Sequence, residues 1–464
     1  MRIQYKKKMP GKIMVRTVCM TMMIICHFGT AQKTKKPNII YIMTDQQSAN
    51  AMSCTGNLEL ATPAMDGLAK DGILYEHAYC TFPICSPARA SMMTGLMPHR
   101  TGNNANNVGI PDSILPNTLA HTLQRNGYET FYGGKWHLPS YTIKEGQGFE
   151  IITDFGDDDL AESAIDYIEK KHSRPFFMVL SFDNPHNICE FARNQPLPWG
   201  EVNVPNDSRE LPNLPKNFGI PEFEPDIIRD YQAERPRVFP TFSYTPNDWR
   251  IYRHAYNRLV EKVDLEIQKI IEALKDNGYY EESLIIFSSD HGDGQGAHQW
   301  NQKTILYEES INVPLILKLP NSKHAGKQVS MPVSVGLDLF PTISEFTGIR
   351  APKGLEGFNL LEWINDQDKE RPPVFVETLM DVPEIIVNRK YYGYAILKGN
   401  LKYIGYSQGK HREQLFNLEN DPGEMVNLAV ESRYDDTLKE FRKLLLDWMV
   451  KTDAPGLRAY KYYN

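Results

Sequence analysis

The chain reads as an α/β protein: a large, mostly parallel or mixed central sheet flanked by helices, followed by a smaller C-terminal α+β subdomain of antiparallel sheet plus helix. Three observations predict this. Short apolar, β-branched runs alternate with capped amphipathic helices along most of the chain. After about Lys369 the pattern changes to a hairpin and one last helix. At 464 residues the chain is longer than one ordinary core needs, so we divide it into a leader at 1–31, a main domain at 32–369 and a C-terminal subdomain at 370–464.

Asn38 to Met43 is a short apolar run and predicts a buried central strand. Thr62-Pro63 opens a helix expected to stop at Gly72, with a capping residue first and a left-handed stop last. Asn117 to Asn126 repeats the design, closing at Gly127 before a strand at Tyr128 to Tyr132, and Phe176 to Phe182 is another buried strand. A long helix is expected over Asn247 to Asn277, because Ile251, Ala255, Leu259, Val263, Ile267, Ile270 and Leu274 recur at spacings of three and four. Leu284 to Phe287 and Val313 to Leu317 are again strand-like. Near the end, Tyr392 to Leu397 and Leu401 to Tyr406 flank a Gly399-Asn400 turn, and Tyr434 to Val450 is amphipathic. The span Pro196 to Pro246 is rich in Pro and Asn and weakly periodic, as the wall of a pocket or a variable surface would be.

The first residues stand apart. Arg2, Lys6, Lys7, Lys8, Lys12 and Arg16 are six positive charges with no acid before Ala31, and an apolar run from Val18 to Phe28 leads to Gly29-Thr30-Ala31. This is the pattern of a secretory signal peptide, too short for a membrane span, so export to a periplasm or the cell exterior is expected, or to a lysosome-type lumen in a eukaryote. Bulky Ile25 argues against lipidation of Cys26. Losing the six leader charges takes the formal net charge from −7 to −13, a poor balance for nucleic acid or an anionic membrane. An anionic substrate would need positive charge concentrated in its site. Cys54, Cys80, Cys85 and Cys189 remain; their even count permits disulfides without requiring them, and no Cys-x-x-Cys spacing suggests zinc.

Polar residues gather where buried strands end. The first strand runs into Asp45-Gln46 and the strand at Leu284 runs into Asp290-His291. Ligands bind at the carboxyl ends of strands in doubly wound sheets, and two such pairs could hold one divalent cation. Either dipeptide alone is better read as a cap or turn. The decisive segment is Cys85-Ser86-Pro87-Ala88-Arg89, followed by Thr94-Gly95. Ser86 suits a helix cap and Pro87 the first helical position, which puts Cys85 just ahead of a helix N-terminus where an anion is favoured; Arg89 returns over the same end. A buried cysteine beside a capped helix is the plain alternative, and the Cys-x-Pro-x-Arg spacing with its Thr-Gly pair is what argues against it.

Here the sequence resembles the type I, formylglycine-dependent sulfatases of the alkaline phosphatase superfamily. The likeness runs in order through Pro37 to Asp45, Cys85 to Arg89, Gly133-Gly134-Lys135-Trp136-His137 and Asn184-Pro185-His186. It continues through Ser289-Asp290-His291-Gly292, Tyr307-Glu308-Glu309-Ser310, Val313-Pro314 and Leu415 to Pro422. It implies that a maturation enzyme oxidises Cys85 to formylglycine (3-oxoalanine), whose hydrate attacks sulfur. It implies that Asp45, Gln46, Cys85, Asp290 and His291 hold one divalent cation, and that Arg89, Lys135 and Lys303 surround the sulfate oxygens. His186 would be the acid toward the leaving alcohol, and His137 would take the proton that lets sulfate depart. Taken singly, His186 would be a structural hydrogen bonder, and Lys135 and Lys303 solvated charges.

Two departures bear on these roles. Many sulfatases carry Asp-Asp and Asp-Asn where this chain has Asp45-Gln46 and Asp290-His291. Ca²⁺ is the expected ion, and the histidine makes Mg²⁺ or Mn²⁺ more plausible than usual. The same histidine resembles phosphonate monoester hydrolases, so a phosphonate or phosphodiester hydrolase is the first alternative, and a non-catalytic binder of sulfated glycans with unconverted Cys85 the second. The substrate expected from export is a sulfated carbohydrate of glycosaminoglycan or mucin type. His298, Trp199, Arg235, Arg237 and Trp249 are candidate substrate contacts, with a core role for the aromatics weighed equally.

Overall fold

The computed structural model describes residues 1, 3, 4, 36–364, 371–383 and 388–461. The expected leader, apart from those three residues, and the 369/370 boundary lie outside the described residues.

Fourteen strands are described. In chain order, β1 is Ile39–Asp45, β2 Ile73–Tyr75, β3 Ala78–Tyr79, β4 Glu129–Gly134 and β5 Glu150–Thr153. Next come β6 Phe176–Pro185, β7 Leu284–Ser289, β8 Leu315–Lys318, β9 Lys327–Val329 and β10 Val333–Ser334. The C-terminal part contributes β11 Val374–Pro383, β12 Asn388–Lys398, β13 Leu401–Tyr406 and β14 Glu413–Asn417.

β1 is apolar on both faces because both faces are covered. Ile39, Tyr41 and Met43 join one core, with Met92 and Met93 of the Cys85–Thr94 helix and Phe340 of the Val335–Thr347 helix. Ile40 and Ile42 join the other, with Leu259, Val263 and Ile267 of the Pro246–Asp276 helix. β1 stands in the middle of an eight-stranded sheet of order β5-β4-β6-β1-β7-β8-β2-β9. The five neighbours β5, β4, β6, β1 and β7 are mutually parallel, whereas β8 runs antiparallel to β7 and to β2. The sheet is therefore mixed, and its parallel part has one consequence for function. The carboxyl ends of β1, β4, β6 and β7 lie side by side and deliver Asp45, Lys135, Asp183 and Asp290 to one edge.

The long helix starts with the capping box of Thr245 and Asp248 and buries the expected stripe from Ala255 to Leu274. Two local expectations need correcting. Gly72 does cap the Pro63–Asp71 helix, but in extended geometry (φ −130°), not left-handed. A Cβ there would stand 2.8 Å from the Leu317 carbonyl oxygen, so the glycine serves a close approach to β8. The Cys85–Thr94 helix begins at Cys85 itself, with Ile84 at the cap position and no side-chain cap. The Ser86 hydroxyl instead donates to the His137 carbonyl (2.6 Å) and accepts from Asn107 N–H (3.1 Å), tying two loops to the helix start.

β11 to β14 form a separate antiparallel sheet in sequence order, with the turn at Gly399-Asn400 as expected. The Asp435–Thr452 helix buries Leu438, Phe441, Leu445 and Met449 against Tyr394, Ile396, Tyr403 and Leu415 of that sheet. Buried Lys402 on β13 binds Glu308 (2.8 Å) and Glu424 (2.7 Å), and the Thr378 hydroxyl on β11 donates to the Thr304 carbonyl (2.6 Å), so this sheet is fastened to the loops that follow β7.

Candidate active site

The four strand ends converge on the first turn of the Cys85–Thr94 helix. Cys85 Sγ lies 3.0 Å from Lys303 Nζ, 3.1 Å from His291 Nε2 and 3.6 Å from Asp45 Oδ1. Arg89, one turn on and 1 % exposed, places its guanidinium between the two aspartates. Nε donates to Asp290 Oδ2 (2.7 Å) and Nη2 to Asp45 Oδ2 (3.0 Å), while Nη1 donates to the Lys135 carbonyl and Ser181 Oγ. A planar fork can hold two carboxylates apart in this way, and an ammonium cannot.

Lys135 reaches the same point from β4. Gly134, at φ +87°, turns the chain there, and a Cβ on it would come within 2.1 Å of the Ser181 carbonyl oxygen on β6. Only glycine permits that approach, which swings Lys135 inward, fully buried, onto Asp45 Oδ2 and Asp183 Oδ1 at 2.8 Å each. Asp183 also accepts from Asn187 Nδ2 and Trp199 Nε1. The expectations from sequence did not include Asp183, although it sits at the end of β6 just as Asp45 and Asp290 end β1 and β7; applying the strand-end rule to all three would have found it.

Burial opposes charge on every one of these groups, and their mutual fields decide the outcome. Asp45 is held well below the usual carboxylate range by Lys135, His186, Lys303 and Arg89, which outweigh burial. Asp290 is pushed up by burial and by the Asp45 charge beside it. Burial and Asp45 oppose ionisation of Cys85, yet Lys303, His291 and Lys135 prevail and the thiol is held well below its ordinary value. Further back, burial and Asp183 push Asp157 up to about 7, while Asp157 accepts the backbone N–H groups of Asp183 (2.6 Å) and Asn184 (2.9 Å). This is a pocket for an anion, with the cations of Arg89, Lys135 and Lys303 around it and the carboxylates of Asp45 and Asp290 facing each other across Arg89.

The chemistry of the donor set is the test for a metal. Asp45, Cys85, Asp290 and His291 offer ligand atoms all within 4.8 Å of one another, every residue buried. Two carboxylates and an imidazole suit a divalent cation of hard or borderline character, and a Cys85 position bearing oxygen in place of sulfur would complete the set. Gln46 meets Asp290 through its backbone N–H (3.1 Å), and its side-chain amide is anchored on Asp293 (2.7 Å) with Oε1 toward Cys189 Sγ (3.6 Å).

The remaining expected residues divide. His137, at φ 60°, is buried with Nδ1 unpartnered and its ring stacked on Tyr141. His186 is at the rim, its side chain 16 % exposed and Nδ1 3.9 Å from Asp183 Oδ1. Trp199 joins the site through its bond to Asp183. Arg235 binds the Tyr231 hydroxyl and the Asp381 carbonyl, and Arg237 is exposed. Trp249 is corrected to core: it is 2 % exposed and packs on Phe218, Tyr244 and Tyr252, because it opens the buried face of the long helix. His298 belongs to a different cluster, with Glu309 and Glu424. It stacks on Tyr307, and burial with the nearby Arg229 and Lys402 pushes it down to about 3, a neutral structural imidazole. Lys402 supplies the cation in that cluster. Cys54, Cys80, Cys85 and Cys189 are all free thiols.

Comparison with known proteins places the chain in a family. A family model described as Sulfatase matches residues 37–349, and one described as N-sulphoglucosamine sulphohydrolase, C-terminal, matches residues 296–451. A Delta 4,5-hexuronate-2-O-sulfatase from Bacteroides thetaiotaomicron is 28 % identical over 449 residues, covering 91 % of each chain. The solved structure of a 2-O GAG sulfatase aligns with a TM-score of 0.77 at 26 % identity, over 90 % of this chain and 93 % of the other. Phosphonate monoester hydrolase of Agrobacterium radiobacter aligns with a TM-score of 0.71 at 21 % identity, over 90 % of this chain and 96 % of the other, a likeness of fold alone.

Proposed function

This chain belongs to the sulfatase family and is a sulfuric ester hydrolase, and from that premise we propose that it removes O-sulfate groups from glycans with Cys85, matured to formylglycine, as its nucleophile. The observation that carries the reading is the convergence of Asp45, Asp290, His291, Lys135 and Lys303 on one cysteine at a helix start. A neutral thiol has no use for so much buried charge. The Sγ position stands in for the carbon-bound oxygens of an aldehyde hydrate.

Asp45, Asp290, His291 and the matured Cys85, with Gln46 beside them, would hold one divalent cation, Ca²⁺ before Mg²⁺ or Mn²⁺, which supplies Lewis acidity toward a sulfate oxygen. Arg89, Lys135 and Lys303 neutralise the sulfate as charge moves onto it. One hydroxyl of the residue-85 hydrate gives its proton to Asp290 and attacks sulfur, and the S–O bond to the sugar breaks. The alkoxide takes its proton from His186 at the rim. The second hydroxyl then loses its proton to His137, whose unpartnered Nδ1 suits a base; the carbonyl re-forms and sulfate leaves with the electrons of the C–O bond. A serine could be sulfated here but would lack that exit.

Export by the leader at 1–31 is part of the reading. No helix among the described residues is long and apolar enough to cross a membrane. Mass analysis of the Cys85 peptide from the native source, with sulfate release from a panel of sulfated sugars, tests the whole. Aldehyde or hydrate at Cys85 together with sulfate release is expected. A thiol throughout, or turnover of aryl phosphonates far above aryl sulfates, would overturn it.

A further inference from the structure

Most of the catalytic groups are fully buried. Cys85, Arg89, Lys135 and His137 are 0–1 % exposed, whereas Tyr141, four residues past His137, is 44 % exposed. Its ring lies nearly parallel to the His137 ring, centroids 4.3 Å apart at 20°, and Lys135 Nζ is 5.4 Å from its centre. Phe155 follows at 5.1 Å from Tyr141, and Trp199 at 5.7 Å, edge-on to Phe155. The row closes on the site again, because the Trp199 indole N–H donates to Asp183 Oδ2 (3.2 Å) and Asp183 Oδ1 holds Lys135.

These rings could serve only to buttress His137, but a buttress is buried. Tyr132 and Trp136, in edge contact nearby, are 1 % and 2 % exposed, as core aromatics are. Phe155 and Trp199 instead keep part of their surface, like Tyr141. The row begins at the reacting atoms and stays partly open, as a wall beside the leaving group would. Its neighbours are acidic: Asp154, Asp158 and Asp159 flank Phe155 and are all exposed. Of the bases at the row, Lys135 is held by Asp45 and Asp183, and Lys262 spends its ammonium on the Trp199, Gly200 and Glu201 carbonyls. A second anion on the sugar would meet like charge there.

The geometry points to Tyr141, Phe155 and Trp199 as the binding wall for the ring that carries the sulfate, and to a neutral pyranose as the ring it takes. A pyranose presents a face of C–H groups that packs on aromatic surface, while its hydroxyls can turn toward the exposed amide of Asn106, which also accepts the Ser86 N–H (3.2 Å). The inference rests on the sulfatase reading above and narrows it.

The test compares methyl hexopyranoside monosulfates, the matching uronate monosulfates and propyl sulfate, which has no ring, using enzyme whose Cys85 conversion has been measured. The neutral pyranosides should be the better cyclic substrates. In Phe155→Ala the ratio of kcat/KM for the best pyranoside to that for propyl sulfate should fall about tenfold, chiefly through KM, and Phe155→Trp should restore it. Phe155→Leu serves if the alanine variant does not fold. Calorimetry on Cys85→Ser with the same pyranoside should show the same loss of binding when Phe155 is also replaced, with no chemistry involved. An unchanged ratio, whether because both substrates suffer equally or because neither does, would show that the row only supports His137 and would overturn the wall. So would a preference for the uronates. Failure of fully converted enzyme on every sulfate ester is a different result: it removes the sulfatase reading and this inference with it.

Discussion

Lys402→Met is expected to cost about 3 kcal/mol of folding stability at pH 7, near the low end of the range of roughly 3–5 kcal/mol for removing one partner of a buried ion pair. The ammonium is fully buried and binds Glu308 Oε1 (2.8 Å) and Glu424 Oε1 (2.7 Å), whose side chains are 14 % and 1 % exposed. Methionine fills the space of the stem but leaves two carboxylates facing each other. Two features limit the damage. Glu308 retains some contact with water, and burial already holds Glu424 up to about 8 despite Lys402, so it protonates readily once the ammonium is gone. Urea denaturation followed by tryptophan fluorescence, with Glu424→Gln made alone and in the Lys402→Met background, checks the reasoning. Adding Glu424→Gln to Lys402→Met should cost almost nothing, since it replaces a carboxyl that is then neutral. A loss below about 1 kcal/mol in the single variant, or full additivity in the double, would refute it.

Three further outcomes follow from the same structure. His186→Ala should lower kcat on sugar sulfates by about 10²–10⁴ but much less on aryl sulfates with acidic leaving groups, because only a basic alkoxide needs the rim imidazole; equal losses in leaving-group assays would remove His186 as the acid. Stability should decline as pH rises from about 5 to 8. Burial raises Asp264 to about 6, Asp157 to about 7 and Glu424 to about 8, so the folded state binds these protons more tightly than the unfolded chain does, and the stability they contribute is complete below the unfolded value and lost as pH climbs through the folded ones. Thermal melts across that window, flattened near pH 8 in Glu424→Gln, test the sign; a steady rise in stability would contradict it. Trp249→Ala should destabilise by about 3–5 kcal/mol as a core truncation, whereas Trp199→Ala should leave the melting temperature nearly unchanged and act on substrate KM.

Much of this protein was legible along the chain. Apolar runs gave β1, β6 and β7 because strands covered on both faces cannot admit polar residues, and period 3.6 located the long helix because one stripe of it had to be buried. The Cys85 to Arg89 spacing, Asp45 and Asp290 were readable too, since each sits at a boundary with local punctuation. What could not be read was partnership across the fold. Asp183 lies near the end of an ordinary strand, and only the parallel order β4-β6-β1-β7 puts it against Lys135. Trp199 and Trp249 lie in equally irregular or amphipathic sequence, and only packing decides that one meets Asp183 while the other fills the core. His298, three residues from Gln295 in the loop after Asp290, looked like part of the site, yet its left-handed backbone (φ 53°) directs it to Tyr307 and Glu309 instead. The sequence by itself determined which elements form and which residues end them, because those depend on near neighbours. Tertiary structure alone decided which charges face one another, because that depends on strand order and on close approaches such as that of Gly134 to Ser181.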